Sequence, residues 1–217
     1  MAITPVGILG GTFDPIHFGH LRLAEEMLEL ARLGQIRFIP SGTPPHREAP
    51  QVSAQHRSAM VRLAIADQPA FVLDEREVAR TVPCYTADTL RELRAELGEA
   101  QPLCLMMGSD AFLHLHTWHT WQRLFEFAHI MVMQRPGRPL GNAIQQADAV
   151  LRETYNERLL PGVAALREMP CGGIIVFDMP LLEISATDIR RRIAERRTIR
   201  YLLPSAVSDY IYTNQLY

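Results

Sequence analysis

Short apolar runs alternate along the chain with stretches in which apolar residues return every three or four positions. Val6–Leu9 is apolar and ends in Gly-Gly, the pattern of a buried strand. From Gly19 onward, Leu21, Ala24, Met27, Leu28 and Ala31 share one face of a helix, which Gly34 stops. Ile36–Pro40 is the next strand, and Ser41–Pro50 (SGTPPHREAP) is a loop by composition. Ser53 is placed to cap a helix with Met60, Leu63 and Ala64 on its inner face. Phe71–Leu73 is strand-like, and Thr86–Leu97 is a helix with Leu90, Leu93 and Leu97 spaced three and four apart. Leu103–Met107, His129–Gln134 and Gly173–Phe177 are further short apolar runs bounded by breakers. Arg135–Ala143 and Pro161–Gly173 are loops around a peripheral helix.

This alternation predicts the α/β class, with a mostly parallel sheet and helices on both faces. Ligands of such sheets bind beyond the carboxyl ends of the strands, so the informative residues lie just after each apolar run. At 217 residues the chain is expected to form one domain over 1–217, closed by helices at 185–217. Hydrophobic residues make up 47% and charged residues 21%, as in ordinary globular proteins. A net charge of −2 gives no bulk attraction to nucleic acid or to an anionic membrane. No apolar run approaches a membrane span, and the start of the chain lacks a basic signal-peptide region, so a cytoplasmic location is expected. Cys84, Cys104 and Cys171 are odd in number and form no CxxC pair, which argues against a disulfide framework or a zinc site. Cys104, inside LCLMM, is a core residue.

The first strand runs into GGTFDPIHFGH. Gly10 and Gly11 let a ligand approach the backbone, and the following helix offers free N–H groups and a positive dipole end. Neither GxGxxG nor a Walker A lysine is present. The cationic or donor groups of this turn are therefore His17 and His20, whose imidazoles donate to phosphoryl oxygens and titrate near neutral pH. A single histidine here would be a cap or a packed residue, and Asp14 with Pro15 reads as an ordinary turn; HxGH directly after a strand and Gly-Gly favours a phosphate site.

GGTFDPIHFGH resembles the GxFDPxHxGH signature of the HxGH nucleotidyltransferase superfamily. The resemblance implies a Rossmann-like three-layer fold and transfer of a nucleoside monophosphate from an NTP, with release of pyrophosphate. It implies that His17 and His20 hold the triphosphate, with Gly10, Gly11, Thr12 and Phe13 beside it. ISATDIRRRI, from Ile184 to Ile193, resembles the SxTxIR motif of the same superfamily. Ser185, Thr187, Ile189 and Arg190 would form a second nucleotide-binding element, with Arg190 joining the histidines in catalysis. Read without the resemblance, Ser185 is a plain N-cap before a solvated basic helix. The remaining arginines between Arg191 and Arg200 are assigned to that solvated face rather than to nucleic acid.

Three middle segments resemble the bacterial nicotinate mononucleotide adenylyltransferases. SGTPPHR matches their PPH[KR] loop and implicates His46 and Arg47. MGSDAFLHLHTWHTW matches their G-x-D…TW segment. It implies adenosine and ribose contacts from Gly108, Ser109 and Asp110, stacking by Trp118 on a pyridine ring, and a backbone contact from His119. Trp121 is read as packed. CYTADTL puts Thr86 at a helix start, either as a cap alone or as a donor to the nicotinate carboxylate. Arg135, in an RPG turn, matches the family as a phosphate or ribose contact. His114, His116 and His119 have no carboxylate or cysteine at ligand spacing, so no structural metal is expected.

The expected reaction joins ATP to nicotinate mononucleotide, giving deamido-NAD and pyrophosphate, with Mg²⁺ carried by ATP and few or no protein ligands. Rival readings are nicotinamide mononucleotide or another phosphate acceptor on the same scaffold, and a nucleotide-binding regulatory module without catalysis. The sequence leaves open whether the chain forms a homo-oligomer.

Overall fold

The computed structural model describes residues 3–42, 50–134, 137, 139–179 and 182–217. Six strands alternate with helices: β1 (Val6–Gly11), α1 (Phe18–Leu30), β2 (Gln35–Pro40), α2 (Ala54–Ala64), β3 (Phe71–Leu73), α3 (Thr86–Leu97) and β4 (Leu103–Gly108). There follow α4 (Ser109–Leu113), α5 (Leu124–Phe127), β5 (His129–Gln134), α6 (Leu140–Ala143), α7 (Ala149–Arg158), β6 (Ile174–Asp178), α8 (Ala186–Ala194) and α9 (Ser205–Thr213). The sheet order is β3-β2-β1-β4-β5-β6, the order of a doubly wound nucleotide-binding sheet. The pairs β1–β4, β2–β3, β4–β5 and β5–β6 are parallel. Each apolar run of the sequence is one of these strands, and α7 is the peripheral helix between the two loop-rich stretches.

The chain forms two compact units. One comprises Met1–Leu9, Met27–Gln35 and Tyr85–Pro180, the other Gly10–Glu26, Ile36–Cys84 and Leu181–Tyr217. One boundary falls inside β1, so no linker composition marks it.

In the first unit, β4 and β5 are buried on both faces, which is why they read as continuous apolar runs. Cys104 is fully buried, and burial pushes its thiol up to about 12. Two polar side chains are enclosed as well. Arg94 of α3 donates to the carbonyls of Gly98, Glu99, Gln101, Phe127 and Pro170. It thereby ties the end of α3 to the stretches before β4, β5 and β6 through their carbonyls. His129 accepts from the Gly173 N–H at Nδ1 and meets the Met169 carbonyl at Nε2. That pairing places its single proton on Nε2.

In the second unit, Ser53 caps α2 by accepting from the His56 N–H. The inner face of α2 is Arg57, Ser58, Met60, Val61 and Ala64. Leu63, expected on that face, is exposed; the stripe follows 57, 60, 61, 64, and Leu63 lies outside it. The aromatic rings of Phe13, Phe38 and Phe71 pack in sequence beneath the first turn.

Candidate active site

The HxGH turn lies wholly in the second unit. The His17 backbone N–H donates to Nδ1 of His20 at 3.3 Å. With Nδ1 used as an acceptor, His20 in its neutral form carries its proton on Nε2. The two rings stack with centroids 3.8 Å apart, and the edge of Phe13 meets His20 at 5.1 Å. Gly19 is required by this stack: a Cβ there would lie 2.9 Å from Cε1 and Nδ1 of His17. Gly11 is required by Phe13, whose ring a Cβ would meet at 3.0 Å, whereas a Cβ at Gly10 would point into open space. Phe13 itself adopts a left-handed φ of 51° and is buried, so the turn is held by packing.

Burial lowers His17 to about 4. Burial, and then the neighbouring His17, lower His20 to about 3. The charge near neutrality expected from an unperturbed imidazole is therefore absent. Both imidazoles are therefore neutral near pH 7, and Nδ1 of His17 is buried without a hydrogen-bond partner among the described residues.

Asp14 anchors the turn, a role its sequence context does not announce. Its peptide bond to Pro15 is cis. Its Oδ1 accepts from the Tyr217 hydroxyl at 2.7 Å and its Oδ2 from the Gln51 N–H at 3.0 Å. Burial, and then the bond to Asp14, raise the Tyr217 phenol above its ordinary value, so it stays a donor. Arg190 of α8 donates from Nη1 to the Asp14 carbonyl at 2.7 Å, with Oδ2 of Asp14 3.9 Å away. Arg57, 1% exposed, donates to the carbonyls of Thr12, Ser41 and Gly42 and so ties the first turn to the stretch after β2. The signal for Arg57 was present in the sequence, as a charge in the inner stripe of α2. Nothing local marks Tyr217, whose partner lies 203 positions away.

Ser185 caps α8 by accepting from the Asp188 N–H at 3.1 Å. Ser185 and Thr187 are exposed, and Thr187 Oγ1 accepts weakly from Arg190 at 3.4 Å. Ile189 is fully buried and its N–H bonds to the Ser185 carbonyl, so its side chain builds the core under the helix. Arg191 and Arg192 pair with Asp188, and Arg197 pairs with Glu195, as a solvated face does.

In the first unit, Gly108 ends β4, Ser109 and Asp110 open α4, and Asp110 is exposed in its first turn. Thr86 is the first residue of α3; the cap position is Tyr85, with no side-chain cap bond. Trp118 is half-buried, whereas Trp121 is packed at 5% exposure against Phe125. The three histidines of this segment take separate places. His114 Nδ1 meets the Asp110 carbonyl, His116 is half-buried, and His119 lies on the Tyr85 ring at 4.4 Å. Among the described residues no three His, Cys, Asp or Glu side chains gather as a metal cage. His46, Arg47 and Arg135 lie outside the described residues. No helix among the described residues is long and apolar enough to cross a membrane.

Comparison with known proteins agrees with both motifs. The family described as cytidylyltransferase-like matches residues 8–192. A protein of Dechloromonas aromatica named "Probable nicotinate-nucleotide adenylyltransferase" is 50% identical over 98% of this chain and 97% of its own length. One of the same name from Halorhodospira halophila is 48% identical over 95% of this chain and 92% of its own. Among solved structures, the nicotinic acid mononucleotide adenylyltransferase of Plasmodium falciparum complexed with NaAD superimposes with a TM-score of 0.71. It is 18% identical over 98% of this chain and 97% of that one, a likeness of fold. Two motifs at opposite ends of the chain, one turn that packs them together and full-length identity near one half converge: the chain belongs to the cytidylyltransferase-like family and, within it, to the nicotinate-nucleotide adenylyltransferases.

Proposed function

We infer that the chain transfers the AMP moiety of ATP to the 5′-phosphate of nicotinate mononucleotide, forming deamido-NAD and pyrophosphate. The observation that carries this reading is the stacked His17–His20 pair, His17 buried and His20 half-buried, with Arg190 anchored to the same turn at Asp14. An acceptor phosphate oxygen attacks the α-phosphorus in line, and the bond from that phosphorus to the bridging oxygen of the β-phosphate breaks. The acceptor is already a dianion, so no base is needed. What the protein supplies is orientation and donors aimed at the charge that develops on the phosphoryl oxygens. His20 offers Nε2–H, and a neutral donor suits an oxygen that must be released again with the product. Arg190 adds a fixed positive charge. Mg²⁺ would enter with ATP and offset phosphate charge, needing few or no protein ligands.

The names of the full-length relatives support nicotinate mononucleotide as the acceptor. Gly10, Gly11, Thr12 and Phe13 are assigned to the triphosphate, Gly108, Ser109 and Asp110 to adenosine and ribose, and Ser185 and Thr187 to phosphate. Thr86, Trp118 and His119 are assigned to the nicotinate end, together with His46, Arg47 and Arg135. Thr86 is not the cap residue of α3, which supports the donor role for its hydroxyl towards an anionic carboxylate, a group that gains more from such donors than a carboxamide does.

The test is pyrophosphate release from ATP and Mg²⁺ with nicotinate mononucleotide, nicotinamide mononucleotide and phosphopantetheine in parallel. Turnover with the first above the other two supports the reading. Preference for another acceptor keeps the phosphate chemistry and overturns the Thr86 and Trp118 assignments. ATP binding without turnover on any acceptor points to a regulatory module.

A further inference from the structure

Arg190 has a competitor for its charge. The Asp14 carboxylate lies 3.9 Å from Nη1, close enough to form a direct ion pair after a small side-chain rotation. Such a pair would draw the guanidinium onto Asp14 and away from any phosphate. In the structure the carboxylate is occupied elsewhere: Tyr217 holds Oδ1 at 2.7 Å and the Gln51 N–H holds Oδ2 at 3.0 Å. Arg190 meets neutral acceptors instead, the Asp14 carbonyl at 2.7 Å and, weakly, Thr187 Oγ1 at 3.4 Å.

We propose that Tyr217 is a positioning residue for Arg190, its hydroxyl occupying the Asp14 carboxylate so that the guanidinium stays available to the triphosphate. This rests on the assignment of Arg190 to phosphate. The two bonds to Asp14 differ in kind. Gln51 contributes a backbone donor that any residue except proline supplies. Tyr217 contributes a side-chain hydroxyl, so its identity matters and can be tested by one atom. Asp14 is buried and Tyr217 half-buried, and in such surroundings a carboxylate that loses a donor seeks another. Among the described residues Arg190 is within ion-pair range of that carboxylate, at 3.9 Å, and its Nε is buried and unpartnered; Arg57 also feels the Asp14 charge, but its Nη atoms are spent on the carbonyls of Thr12, Ser41 and Gly42.

Tyr217→Phe removes the hydroxyl and keeps the ring. The expected result is a fall of about tenfold in kcat/KM for ATP, carried by a higher ATP KM and a lower kcat, with the KM for the acceptor little changed. Asp14→Asn supplies the control, because an amide has no charge with which to capture Arg190. In the Asp14→Asn background, Tyr217→Phe should cost less than twofold. Thermal unfolding of each variant separates this from a packing role: a merely structural Tyr217 would lower Tm while leaving kcat and KM per folded molecule unchanged, which would overturn the proposal. So would an equal loss in both backgrounds. Arg190→Ala is measured beside them. If it keeps full turnover, the phosphate assignment of Arg190 fails and takes the proposal with it. If it collapses while Tyr217→Phe equals the parent, only the role of Tyr217 fails.

Discussion

The N–H of His17 donates to Nδ1 of His20, and the two rings stack at 3.8 Å. One backbone bond thus sets the tautomer of the second histidine, and one ring shields the other from water. Removing the first ring therefore does two things: it deletes a donor and it frees the second. His17→Ala should lower turnover by roughly two or more orders of magnitude, as loss of a preorganised oxyanion donor does. Binding of a nonhydrolysable ATP analogue should weaken far less. Steady-state turnover and equilibrium binding on the same preparation check this, and a parallel loss of both would contradict a transition-state role.

Gly19→Ala separates geometry from stability. The added Cβ meets the tip of a side chain rather than backbone, since the atoms at 2.9 Å are Cε1 and Nδ1 of the His17 ring. The ring can swing aside, so the melting temperature should move by only a few degrees. The stack cannot survive the swing, so kcat should fall about tenfold or more. An unchanged kcat would show that the stacked arrangement is not the working one.

The histidine pair predicts an acid limb in stability. In the folded chain His17 titrates at about 4 and His20 at about 3, against an ordinary value near 6.5 in the unfolded chain. Both are lowered, so between those values the unfolded chain binds protons that the folded chain does not. Stability is then fully present above about pH 6.5 and falls as pH drops towards 4, with a slope of at most about 1.4 kcal/mol per pH unit for each histidine. Urea unfolding at a series of pH values measures the slope. His17→Gln should flatten it.

Triphosphate binding should reverse that shift, because an anion beside an imidazole favours its charged form. At pH 5.5 an ATP analogue should bind with proton uptake, which calorimetry in buffers of different ionisation enthalpy reads directly. Binding without proton uptake would place the phosphates away from His17 and His20.

Arg94 predicts a stability effect without a catalytic one. Its buried guanidinium donates to five carbonyls in the first unit, so Arg94→Met removes bonds that join several separate segments there. A loss of about 3 kcal/mol is expected in urea unfolding, with kcat unchanged well below the melting temperature.

The six strands were legible because each is an apolar run between breakers, and strands of a covered parallel sheet are buried on both faces wherever they lie in the chain. α3 was legible to its ends, Thr86 and Leu97, because Leu90 and Leu93 repeat at the helical period. Both family motifs were legible because each is local, lying within a dozen residues of a helix start. What the sequence could not carry is anything decided between distant segments. The neutral state of His17 and His20 comes from the walls around them, and local spacing says nothing of burial. The two units are invisible because a boundary cuts through β1 rather than through a linker. Asp14 reads as half of an Asp-Pro turn; only folding brings Gln51, Arg190 and Tyr217 to it and makes it the anchor of the site. Residue types and short-range periodicity determine which elements form and which chemistry they carry. Long-range packing decides how much water each group keeps, and with it the protonation state of the histidines and the partners left to the arginine.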